Sequence, residues 1–197
     1  MYSFDVSNPR APELMAHYPE LDCRGLHVRG GLAYIACDRG LVVTDVSTPS
    51  SMRPVSSWEG SGLWLLEPLA ETDSIAVLQI GDSPRNELVM LDIADASIPR
   101  LLSRHSFPSS QSLAAMVSDG RSLILGDPLQ VVDVADTSRP TVVQTVTRVG
   151  VRSLSLSDTY LFAGTYAGLT VYHIDELTDY VNPRVMLPAV LSSGPRP

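Results

Sequence analysis

The sequence predicts an all-β fold, a β-propeller of about four four-stranded antiparallel blades preceded by an N-terminal half blade. Three observations carry that reading. An acid-centred motif recurs at near-equal spacing. A hairpin-like motif lies between successive copies of it. No long stretch shows an apolar stripe of helical period.

The anchors come first. They read MYSFDVSNPRAP (1–12), LVVTDVSTPSSMRP (41–54), LVMLDIADASIP (88–99) and LQVVDVADTSRP (129–140). The acids are Asp5, Asp45, Asp92 and Asp133, and a fifth copy, LTVYHIDELTDYVNP (169–183), puts His173 in that slot. The four intervals between these positions are nearly equal, and the one from Asp45 to Asp92 is the longest. Runs such as LVVTDV and LQVVDV are almost continuously apolar, which suits a strand covered on both faces. Each acid precedes a Ser-, Ala- or Pro-rich turn, where its oxygens can accept backbone N–H groups. These repeat acids are therefore read as structural, spread one per blade rather than gathered on an ion.

Between the anchors lie LHVRGGLAYIAC (26–37), LEPLAETDSIAVLQI (66–80), AAMVSDGRSLILG (114–126) and LSLSDTYLFAG (154–164). Each is an apolar run, a polar turn and a second apolar run. Gly30-Gly31 and Asp119-Gly120 are favoured two-residue hairpin turns. Strands are predicted near 23–29, 32–37, 41–46 and 54–59 for the first whole unit. The insertion GDSPRNE (81–87) lengthens one spacing and should protrude between two strands, as a binding loop or a tolerated insertion. IDELTDY (174–180) is expected to form at most one helical turn. A single propeller domain over 1–190 and a flexible tail over 191–197 follow.

The chain starts on a third-and-fourth-strand pair, about 2–6 and 12–18, and four whole units follow. An open arc would expose sheet edges and apolar faces. A fragment of a larger propeller, or a chain that associates to cover its ends, is expected. Closure into four blades, with the N-terminal strands added to the last blade, is the alternative.

The pattern G-L-x-V-x-D-V-S-x-P, with V-x-G-x-x-A-Y-I-A beside it, resembles the LVIVD repeat family. GLVVTDVSTP (40–49), VRGGLAYIAC (28–37) and LQVVDVADTSRP (129–140) carry the resemblance. It implies a β-propeller from an exported or cell-surface protein of bacteria or archaea, without established enzyme activity. The copies depart from the pattern in places. The second delays its last proline to Pro54, the third and fourth replace Ser-x-Pro by Ala-Asp-x, and the fifth carries His173.

Composition narrows the function. The net charge is −8 and all 14 basic residues are arginines. No basic stripe suits nucleic acid or an anionic membrane. The lack of lysine excludes Schiff-base and P-loop chemistry. No apolar run is long enough for a transmembrane helix. The N-terminus of this chain shows no secretory signal. His17, His27, His105 and His173 have no metal-ligand spacing, and no G-x-S-x-G nucleophile elbow occurs. No metal and no cofactor are expected.

Arg24, His27 and Arg152 fall on predicted innermost strands, so they are the candidate binding residues of a central channel. Arg24 and Arg152 hold equivalent positions when the first and last whole units are aligned. Solvation or pairing with acids such as Asp22 is the plainer account of them. Trp58 and Trp64 are read as blade-packing aromatics. With Gly30-Gly31 as the turn, Cys37 should oppose Arg24 and Cys23 should oppose Asp38. The two cysteines should then point to opposite faces as buried thiols, unless a bulge brings them together. The expected function is a non-enzymatic binding or structural scaffold for an unknown protein or small polar ligand, with self-association as a further expectation. The rival is a propeller hydrolase or lyase with its site at the channel mouth.

Overall fold

A computed structural model describes residues 1–17, 22–69, 73–80, 85–108, 115–147, 150–174 and 189–190. The tail 191–197, most of the insertion (81–84) and 175–180 of the expected helical turn lie outside the described residues. These residues form one two-stranded sheet and then four four-stranded antiparallel sheets.

The half blade pairs β1 (Tyr2–Asp5) with β2 (Glu13–His17). The first blade is β3 (Cys23–Arg29), β4 (Leu32–Cys37), β5 (Gly40–Asp45) and β6 (Arg53–Glu59). The second is β7 (Leu63–Leu69), β8 (Ser74–Ile80), β9 (Arg85–Asp92) and β10 (Arg100–Pro108). The third is β11 (Met116–Ser118), β12 (Ser122–Leu125), β13 (Leu129–Asp133) and β14 (Thr141–Thr147). The fourth is β15 (Val151–Leu156), β16 (Tyr160–Thr165), β17 (Gly168–His173) and β18 (Ala189–Val190). Within every blade the strands pair in chain order, as an up-and-down meander. The strands expected in the first blade are found within one residue of their predicted bounds.

The turn chemistry explains the hairpins. Gly30 and Gly31 have φ of 57° and 78°, so both central positions of the β3–β4 turn need the left-handed region. The acids that end the third strands close the next turns. Asp5, Asp45, Asp92 and Asp133 each accept through Oδ1 the N–H of the residue two places on, at 2.8–2.9 Å.

The blades fan out from their first strands. β3 lies against β7, β7 against β11 and β11 against β15. The core is divided accordingly, with one apolar cluster at each junction. Tyr34, Leu41 and Val43 of the first blade meet Leu63, Val89 and Leu91 of the second. Leu69, Leu88 and Met90 of the second meet Met116, Leu123 and Val132 of the third. Ile124, Leu129 and Val131 of the third meet Val151, Leu161 and Tyr172 of the fourth. A smaller cluster of Ala33, Ile35, Cys37 and Val42 lies under Met1 of the half blade. Each fully buried leucine contributes about 1.5–3 kcal/mol of transfer free energy, so the stack holds together through these junctions.

Serine hydroxyls stitch the perimeter. Ser3 donates to the Pro49 carbonyl, Ser56 to Ala96 and Ser103 to Thr137, each reaching a turn of the next blade.

Candidate functional site

Among the described residues the half blade has only third and fourth strands, which leaves a notch. Among the described strands β1 pairs with β2 alone, whereas its counterpart β5 pairs on both edges. Beside the free edge of β1 opens a cavity of about 310 Å³ whose lining includes Met1, Tyr2, Cys23, Arg24, Leu26 and Ile35. Leu26 is 57% exposed and Val28 55%. Their counterparts in the fourth blade, Leu154 and Leu156, are packed against the cluster between the third and fourth blades. The difference is the missing cover: β11 lies against β15, and the described half blade has no strand in the matching place to lie against β3.

At one end of the notch the expectation for the cysteines is overturned. Cys23 and Cys37 form a disulfide. A bulge in β3 takes up Arg24, so the pairing runs Cys23 to Cys37 and then Gly25 to Ala36. That one-residue shift puts both cysteines on the same face. The bulged Arg24 turns outward, with its guanidinium 4.1 Å from the ring centre of Trp64 and its Nε 3.9 Å from Asp38. Trp64 occupies the bulged position of β7, the next innermost strand, and Arg152 the bulged position of β15. The bulge is thus a repeated device that projects one side chain from an innermost strand. Beyond the disulfide lies a second cleft, of about 720 Å³, whose lining includes Asp22, Asp38, Arg39, Trp58 and Glu59. It offers three carboxylates, one guanidinium and an indole face.

The model of the LVIVD repeat matches residues 22–59, from the residue before β3 to the end of β6. The matched segment is the first blade, so the notch and both clefts are built on it. No curated protein is similar to the chain at a significant level. Among solved structures, BamB from Moraxella catarrhalis superposes with a TM-score of 0.57 at 19% identity, over 75% of this chain and 42% of that one. Hsv2 of Kluyveromyces lactis gives 0.56 at 10% identity, over 78% and 46%. The computationally designed Ika4 protein gives 0.53 at 12% identity, over 79% and 93%. These likenesses concern the fold. The chain spans less than half the length of BamB and of Hsv2.

The remaining candidates sit around the matched segment as follows. His27, on β3, is half-buried, and burial, then the nearby Arg29, holds its pKa below 6.5. Arg29 itself is paired with Asp73 of the second blade at 3.1 Å. Arg152, in the fourth blade, lies 4.3 Å from the ring centre of Tyr166. Arg24, His27 and Arg152 are therefore engaged separately, and the described contacts do not gather them. Trp58 packs in the cluster between the first and second blades, while Trp64 is the platform for Arg24.

Two features escape a reading of the sequence. Glu67, on β7, is half-buried and accepts the Ser118 N–H at 3.1 Å across the junction to the third blade. Desolvation raises its pKa above 4.5, and that hydrogen bond partly offsets the rise. A second series of acids also caps the turns after the third strands: Asp95 accepts the N–H and hydroxyl of Ser97, and Asp136 those of Ser138. Among the described residues no three His, Cys, Asp or Glu side chains come together as a metal site. No helix there is long and apolar enough to cross a membrane.

Proposed function

We propose that this chain is a non-enzymatic binding scaffold whose site is the notch of the first blade. The ligand is a partner polypeptide that adds an extended hairpin to the free edge of β1. One of its strands would continue the half-blade sheet through backbone hydrogen bonds, and the other would bury Leu26 and Val28. The observation that carries this reading is the exposure of Leu26 and Val28 where Leu154 and Leu156 are packed. The site is continuous with the existing junction, since Met1 already packs against the cluster of Ala33, Ile35 and Cys37. The Cys23–Cys37 bond supports an exported or cell-surface setting, because disulfides persist in oxidising compartments.

A fluorescein-labelled peptide of residues 115–126 tests the site. In the third blade this hairpin supplies β11 and β12, which cover β15 and its leucines. Titration followed by anisotropy should saturate, and Leu26→Asp should weaken binding about tenfold or more, roughly 1.4 kcal/mol. A scrambled peptide should not bind. Absence of saturation, or equal binding to Leu26→Asp, refutes the proposal. Leu26 is exposed, so near-ultraviolet circular dichroism should show the variant folded.

A further inference from the structure

The third strand of each blade has two faces, and both can be followed along the whole chain. The residues four and two places before the repeat acid face the following blade. In the first three blades these are Leu41 and Val43, Leu88 and Met90, and Leu129 and Val131, and all six are fully buried. In the fourth blade they are Leu169, 46% exposed, and the half-buried Val171. Tyr160 is exposed on the neighbouring strand, with its ring against Phe162 and His173.

The alternate residues face the preceding blade. Val89, Leu91 and Ile93 do so in the second blade, Val132 and Val134 in the third, and Tyr172 and Ile174 in the fourth, and all are buried. On the half blade the matching residues are Tyr2, Phe4 and Val6, each more than half exposed. Leu14, which pairs with Phe4 across the two strands, is exposed as well. Among the described residues the half blade and the fourth blade therefore carry two apolar faces of opposite kind.

We infer that these two faces mate head to tail between two copies of this chain, the fourth blade of one against the half blade of the other. Every junction between whole blades joins one forward face to one backward face. The described faces of the half blade and the fourth blade present one of each, so the fourth blade offers the half blade the kind of surface that blade junctions already use. The contact is heterologous, and two copies related by a two-fold axis satisfy both ends of both chains and leave neither face in water.

Light scattering on the size-exclusion eluate tests this. The chain should elute at twice its mass of 21.3 kDa. Phe4→Asp blocks the head and Leu169→Asp the tail, and both positions are exposed enough for the single chain to fold. Each variant alone should elute at one-chain mass. An equimolar mixture retains one intact junction and should recover a two-chain species. A one-chain mass for the unaltered protein overturns the inference, as does a series of higher multiples. Persistence of the two-chain species in Phe4→Asp alone also overturns it, because the tail would then be pairing with itself. Leu26→Asp, which blocks the notch, should leave the two-chain mass unchanged, so this result and the peptide result stand apart.

Discussion

Ser47 gives Asp45 two donors on one oxygen: its backbone N–H lies 2.9 Å and its hydroxyl 2.6 Å from Oδ1. The hydroxyl bond and then the backbone bond hold the Asp45 pKa below 3.8. The same pair of bonds lowers Asp95 and Asp136, while the Ser7 backbone N–H leads at Asp5. A carboxyl whose folded pKa lies below its unfolded one stabilises the fold above the unfolded value and loses that contribution as the pH falls through the folded value. Asp45→Ala should therefore lower the thermal midpoint at pH 7, and the gap to the unaltered protein should narrow in acid, below pH 3.8. Thermal melts recorded as a function of pH measure the gap. A gap that stays constant into strong acid would count against the turn role of the charged carboxylate.

Leu41 and Leu169 hold the same place in two blades and differ only in what covers them. Leu41→Ala should cost about 2–5 kcal/mol, because it leaves a cavity in a closed junction. Leu169→Ala should cost about 0.5 kcal/mol or less in a single chain. Urea denaturation at dilute protein concentration compares the two. Equal costs would mean that the fourth blade is already covered.

Removing the disulfide should loosen the first blade. Cys23 and Cys37 are 14 residues apart, and closing a loop of that length contributes about 3 kcal/mol. The double substitution Cys23→Ala with Cys37→Ala should lower the urea midpoint accordingly. An unchanged midpoint would show that the β3–β4 hairpin holds its register without the covalent link.

The elements most readable from sequence are those written in local pattern. The third strands can be placed from their apolar runs and terminal acids, because two-sided burial leaves its mark on every residue. The hairpins between them can be placed from the turn residues at Gly30-Gly31 and Asp119-Gly120. The disulfide is hidden for a reason that is not local. An unbroken ladder puts Cys23 and Cys37 on opposite faces, and only the bulge at Arg24 reverses that. The bulged guanidinium rests on Trp64, a residue of another blade.

The exchange of Ser-x-Pro for Ala-Asp-x in the third and fourth anchors reads as a departure from the repeat. It supplies Asp95 and Asp136, which provide a second acceptor where the half blade uses Asn8 toward the Arg10 N–H. Turn geometry is kept while the letters change. The notch can be anticipated from the count of strands, but its lining depends on which side chains lose their cover, and that emerges only when Leu26 and Val28 are set against Leu154 and Leu156 in space.

The division of the core into one cluster per junction has a consequence for synthesis. Each cluster draws on two consecutive blades and needs nothing further along the chain. The junction under Met1 can form once β5 has left the ribosome, and each later one once its second blade has followed. The protein can consolidate from its N-terminus in the order in which it is made, with one unfinished apolar face travelling at the growing end.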